Sequence, residues 1–195
     1  AQIGISPNDR VRFSAGVRWD HYNFTAGDRR LDDGDQSGDR TMSQVSPSVG
    51  VTVAAADGVN LFGNVSTAYE TPTTVELSNT PTGAGGFNQE LGAQDLTIDE
   101  FGARGLISPA RLRYEAVVFV STVDGALVNF QNPDEQTFFR NAGKSSRDGL
   151  ELALDWVPTS SFSTRVAYTY QNFKFEELSL IHSVRRRPKA HRRPL

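Results

Sequence analysis

One run of oxygen-bearing side chains is Asp33-Gly34-Asp35-Gln36-Ser37-Gly38. Oxygen ligands at alternate positions, with glycine at the sixth, are how a calcium loop begins. The twelfth position here is Gln44 rather than a bidentate glutamate, so the segment reads as a solvated acidic surface loop. The three histidines, His21, His182 and His191, stand at spacings that fit no metal-ligand pair. Gly83-Ala84-Gly85-Gly86 lies in a loop with Pro72 and Pro81, not between a strand and a helix, which is the setting a phosphate cradle needs. No G-x-S-x-G nucleophile elbow occurs. The chain has no cysteine, which excludes thiolate metal sites and disulfides. These residues argue against an enzyme and against a resident metal or cofactor.

The remaining polar residues are organised by period. Leu150, Leu152, Leu154 and Trp156 alternate with Glu151, Ala153 and Asp155. In a strand such alternation puts one set on each side of a sheet. Val11, Phe13, Ala15, Val17 and Trp19 oppose Arg12, Ser14, Gly16, Arg18 and Asp20 in the same way. Val45, Val49, Val51 and Val53 oppose Ser46, Ser48, Gly50 and Thr52; Leu61, Val65 and Tyr69 oppose Asn64, Ser66 and Glu70. Residues 96–106, 112–130 and 162–173 continue the series, and residues 1–5 end a further strand. One side thus collects Arg12, Arg18, Asp20, Asn64, Glu70, Glu100, Arg104, Arg113, Glu115, Glu151, Asp155, Arg165 and Gln171. That side is expected to be wet, and its charges to be met by water, by one another and by whatever the sheet encloses.

The turns alternate in length. Those at 6–10, 55–59, 107–111 and 157–161 are short, and those at 27–44 and 72–95 are long. Outer-membrane barrels put short turns on the periplasmic edge and long loops outside the cell. The connection at 131–136 belongs to the long side yet is short, as expected if its strands run well past the membrane. Aromatic residues divide accordingly. Tyr114, Trp156 and Phe162 fall near the short-turn rim, and Trp19, Tyr69, Tyr168 and Tyr170 near the other. The predicted fold is all-β: an antiparallel up-and-down meander of about seven to eight strands with one side toward hydrocarbon.

Composition agrees. Among 195 residues the longest apolar run is Ala116 to Val120, far short of a spanning helix. Six of the last eleven residues are basic; without them 14 basic residues face 23 acidic ones. The body is acidic and the tail is another kind of sequence. The expected division is a barrel segment over 1–177 and a basic tail over 178–195, disordered or out of frame with the rest. Nucleic acid is not an expected partner.

Four segments carry a family resemblance. They are Leu61-Phe62-Gly63-Asn64-Val65-Ser66-Thr67-Ala68-Tyr69-Glu70-Thr71-Pro72, Asp99-Glu100-Phe101-Gly102-Ala103-Arg104-Gly105, Asn141-Ala142-Gly143-Lys144 leading into Asp148-Gly149-Leu150-Glu151-Leu152, and Ala167-Tyr168-Thr169-Tyr170. In this order and spacing they resemble the C-terminal barrel of TonB-dependent outer-membrane receptors. The resemblance implies a bacterial outer-membrane transporter of about 22 strands with a plugged lumen, and makes this meander a curved open segment of that large transmembrane β-barrel. It also implies TonB as energising partner and a ferric siderophore as typical cargo, with cobalamin and carbohydrates as other options. The plug, the TonB-contacting segment and the early strands have no counterpart here, so a fragment is expected. Cargo recognition is expected in the long loops, at Phe87, Asn88 and Gln89. Two other readings share the alternation: a small autonomous eight-stranded outer-membrane barrel, and a soluble β-sandwich binding module. Pairing of the first strand with the last would favour the former; two stacked sheets would favour the latter.

Overall fold

Period-two patterning becomes eight strands in the computed structural model, which describes residues 1–29, 31–32, 34–78, 80, 86–131 and 137–178. They are β1 (Gln2–Asn8), β2 (Val11–Ala26), β3 (Gly38–Ala56), β4 (Val59–Glu70), β5 (Gln94–Ile107), β6 (Leu112–Gln131), β7 (Thr137–Thr159) and β8 (Phe162–Leu178). A five-residue helix, α1 (Thr74–Ser78), and a 3₁₀ turn (Ser108–Ala110) complete the elements. All eight strands form one antiparallel sheet in chain order, with β1 and β8 as its open edges. Asp33, Gly83 to Gly85, the turn at 132–136, His182, His191 and the tail beyond 178 lie outside the described residues.

A single layer overturns the sandwich reading. Trp156 and Val17 are exposed rather than covered by a second sheet, and Val49, Val65, Val118 and Val166 are about half exposed with them. Nor do the eight strands close on themselves, because β1 pairs only with β2, and β8 only with β7, among the described residues.

The register encodes the tilt of the strands. From Val11, the first residue of β2, the paired row runs through Val53, Leu61, Ala103, Ala116 and Leu152 to Tyr168. Tyr168 stands six residues above Phe162, where β8 begins. The short-turn edge has therefore slipped about one residue per strand. The upper limit of the apolar side slips equally. In β2 it is Trp19, but the row through Tyr170 of β8 returns to Phe13, six residues lower. One residue of ~3.3 Å against a strand spacing of ~4.8 Å gives a tilt of about 35°, as in closed barrels. Between these parallel edges, Leu112 to Val120 measures roughly 22 Å along the barrel axis, close to the usual apolar band. Asp99 and Asp148 lie in one row on either side of Val120 and mark the top of the band.

Aromatic side chains seat the lower edge. The Tyr114 hydroxyl donates to Gly58 O (3.2 Å), the Trp156 indole N–H donates to Ala110 O (3.0 Å), and Phe162 meets the Trp156 ring edge-on at 6.4 Å. The Tyr114 and Trp156 rings stay in the apolar band while their polar atoms reach a turn. Gly58, at φ +72°, occupies the left-handed position of the β3–β4 turn beside a one-residue register shift.

Two expectations are corrected. The loop predicted over 27–44 is shorter, because β2 and β3 stay paired up to Ala26 and Gly38. Above the hydrocarbon neither side needs to be apolar, so alternation stops while backbone pairing continues. Tyr69 leaves the outer belt and joins Tyr22, with ring centroids 6.4 Å apart. The cause lies in Pro47. The Thr67 hydroxyl donates to Pro47 O (3.3 Å), so that carbonyl faces β4. In an extended strand the nitrogen faces the same way, and the proline nitrogen carries no hydrogen. The β3–β4 ladder accordingly ends at Ser48–Ser66, and β4 peels away while remaining paired with β5.

On the concave side, phenylalanine rings lie over glycines of the neighbouring strand. A Cβ on Gly149 would come within 2.5 Å of Phe119 Cζ, and one on Gly102 within 2.6 Å of Phe62 Cζ. Gly149→Val in the membrane-inserted full-length parent should therefore cost about 1–3 kcal/mol in a denaturant titration. In the same assay Leu152→Arg should cost ~2–4 kcal/mol and Ala153→Arg much less. Equal costs for the last two would refute the assigned faces.

Candidate functional site

The concave face carries charge in close pairs, one within β2 and others across strands. Arg18 Nε donates to Asp20 (2.7 Å) and Asn64 Nδ2 to Glu100 (3.2 Å). Arg113, Asp155 and Arg165 occupy one row, with Arg165 bonded to Asp155. Arg104 lies over the Phe62 ring at 4.8 Å and Arg147 over Phe173 at 5.6 Å. Part of the wet side read from the sequence is thus paired, at Arg18, Asp20, Asn64, Glu100, Asp155 and Arg165.

The largest buried cluster among the described residues is elsewhere. It consists of Met42, Leu77, Phe87 and Leu91, packed against Phe24, Tyr69, Ala93, Leu127 and Phe139. Met42 pairs with Tyr22, and Phe24 with Arg40, which puts them on the same face as Arg18 and Asp20. The chain between β4 and β5 therefore folds inward over the upper concave face. Its helix α1 opens with a capping box: Glu76 N–H bonds the Thr73 hydroxyl (3.3 Å), and Thr73 N–H bonds the Glu76 carboxylate (2.7 Å). Leu77 is completely buried.

Residues 86–93 lie across this cluster like a strap. Toward β3, Gly86 N–H donates to Gln36 O (2.9 Å), the Arg40 guanidinium bonds Asn88 O, and Gln89 Nε2 donates to Asp39 O (3.4 Å). Toward β6 and β7, Asn141 Oδ1 accepts from Gly92 N–H (2.6 Å), and its Nδ2 donates to Gly92 O (3.0 Å) and Gly125 O (2.7 Å). Burial holds the Arg40 pKa below its usual value, since its charge is partly removed from water.

Of the residues singled out in the sequence, Phe87 (6% exposed) and Asn88 (5%) are inside the strap and Gln89 faces outward, as does the neighbouring Glu90. Asp35 and Asp28 bond backbone N–H groups of their own loop, at Ser37 (2.9 Å) and Gln36 (3.0 Å). The Ser37 bonds hold the Asp35 carboxyl below its usual pKa. His21 stacks on Trp19 at 5.5 Å. Sequence reading missed Asn141, Arg40 and α1; only α1 had a signal, the Thr73-x-x-Glu76 spacing. Beside the strap, where β3 and β4 part, lies an opening of about 260 Å³ lined by Gln44, Ser46, Thr67 and Asp95. The Ser46 hydroxyl there is buried and has no protein partner. Leu77→Ala should loosen the strap without opening the wall. Limited proteolysis of the full-length parent should then cut between 78 and 93, while the barrel core resists.

The geometry has counterparts in solved structures. "Copper transporter OprC" superposes with a TM-score of 0.71 at 18% identity, covering 90% of this chain and 28% of that one. The siderophore receptor PiuA from Acinetobacter baumannii gives 0.71 at 18%, covering 90% and 25%. The ferric-catecholate import receptor Fiu from K12 E. coli gives 0.68 at 15%, covering 89% and 27%. The chain spans about a quarter of these receptors, and at such identities the likeness shows the fold. The family model described as "TonB dependent receptor-like, beta-barrel" matches residues 1–188, past the boundary expected at 177. That family comprises transport receptors rather than enzymes. With an apolar convex face, a charged concave face and a family match over nearly its whole length, the chain belongs to the TonB-dependent receptor β-barrel family.

Proposed function

We propose that the full-length parent takes up a metal chelate, a ferric siderophore in the first instance, across the bacterial outer membrane. The observation that carries the reading is the pairing of a hydrocarbon-matched convex band with a charged concave wall in a chain of this family. Residues 1–177 would supply wall strands, with outer-membrane lipid on one side and an N-terminal plug domain on the other. TonB would supply the energy. The solved receptors with similar folds bear names that refer to copper, ferric catecholate and siderophore, which supports a chelate over cobalamin or carbohydrate. At the upper rim, Gln89 would meet the cargo, held in place by Phe87 and Asn88 behind it.

The test is complementation. A strain lacking the parent gene should fail to grow under metal limitation on one of three chelates: ferric tris-catecholate, ferric tris-hydroxamate or a copper(II) chelate. The intact gene should restore growth only when TonB is present. Restoration independent of TonB, or no dependence on any of the three, would rule out the proposal.

A further inference from the structure

We infer that residues 86–93 form a fixed brace of the receptor wall and that Asn141 is the positioning residue on which the brace hangs. For its consequence in transport, the inference rests on the chelate-uptake reading above; for its structural content it does not.

The brace is attached at both ends. On the β3 side it is held by Gln36 O, Asp39 O and the Arg40 guanidinium, and on the other by the Asn141 amide. Between these anchors Phe87 and Leu91 are buried with Leu77 and Met42. The segment therefore ties β3 to β7 across the three strands between them and holds the arc of the sheet at its upper rim.

Asn141 suits this role by its chemistry. Its oxygen takes the Gly92 N–H, and its nitrogen gives hydrogens to Gly92 O and Gly125 O. Only a side-chain amide supplies an acceptor and two donors at that point. An aspartate would set a carboxylate against two carbonyl oxygens. A leucine would leave the Gly92 N–H and two carbonyls without partners. The main chain is shaped to the amide as well. Gly125 adopts φ +67° beside the β6–β7 register shift, and this bulge turns its carbonyl toward Asn141. The opposite end is equally close-fitting, since a Cβ on Gly38 would come within 2.9 Å of Gly86 Cα.

A brace fixed in this way presents Gln89 and Glu90 to the cargo as rigid groups. Loss of Asn141 should then weaken cargo capture more than it slows the transport step.

The experiment uses the full-length receptor in lipid nanodiscs. Amide hydrogen exchange is read at Gly86, Asn88 and Gly92 in the wild type, Asn141→Leu and Asn141→Ser. All three amides should exchange slowly in the wild type. In Asn141→Leu, Gly92 should exchange at least tenfold faster, with Asn141→Ser between the two and Leu152 in the wall unchanged. Fast exchange at Gly92 in the wild type, or no change in either variant, would overturn the brace. Uptake is then measured with ferric tris-catecholate, or with the hydroxamate or copper chelate where that is the one transported. Asn141→Leu should raise the half-saturating concentration about tenfold, with an unchanged maximal rate per inserted receptor. An unchanged half-saturation would reduce Asn141 to a merely stabilising residue and overturn the positioning role. A receptor that transports none of the three chelates yet keeps the exchange pattern would lose the uptake reading and retain the brace.

Discussion

A backbone in hydrocarbon must pair every N–H and C=O with another strand, because no water is there to take them. The rest of this structure depends on that constraint. It dictates sequential antiparallel strands, and a tilt converts the sheet into a wall of fixed height. The tilt is legible in the registers, since both edges of the apolar band slip by about one residue per strand. Both edges slip together because the bilayer fixes their separation.

The same constraint explains why so little is buried. Few apolar side chains among the described residues are sequestered by the protein itself, whereas valines, leucines and aromatic rings of the convex face are exposed in bulk. In a soluble domain such a surface would be a liability. Here lipid replaces the second layer, and the hydrophobic contribution comes from solvent outside the molecule. Protein-made burial concentrates at Met42, Leu77, Phe87 and Leu91, above the band, where lipid no longer covers the wall and loops must be held by other means.

The sequence made the wall legible because hydrocarbon imposes a period on it. Wherever the convex side touches lipid, as at Leu150, Leu152, Leu154 and Trp156, the residue types alone locate the strand and assign its faces. Above Val45 that pressure ends. Arg40, Thr41 and Ser43 continue the strand with no alternation to reveal it. Tyr69 fitted the outer belt by period, yet a proline on the adjacent strand removed a donor and let β4 turn it inward. Phe87 and Asn88 were correctly placed in a loop, but their burial depends on partners from β2, β3 and α1 that no local pattern announces. Asn141 sits in a segment that carries the family resemblance, and its contacts span 49 residues of chain to Gly92. Its role is a product of topology, not of spacing.

Wall and strap divide the labour of the molecule. Some of the concave charges satisfy one another, as Arg18 with Asp20 and Arg165 with Asp155. Phe62 and Phe119 lie flat over glycines and keep the lumen side smooth. On the uptake reading proposed above, this face, which also carries Arg12, Arg113, Glu115 and Glu151, would line the conduit. The upper rim is different. There the ladder is interrupted at Pro47, a buried Ser46 hydroxyl is left without a protein partner, and Arg40 is partly desolvated under a segment that spans several strands. Away from the short-turn edge, where register shifts sit beside Asn8, Ala56 and Thr159, departures from the regular sheet gather at this level. They come at the cost of backbone pairing, and hydrocarbon forbids that cost lower down. On the uptake reading proposed above, discrimination between cargoes would therefore be built above the membrane, on the part of the wall that water can reach.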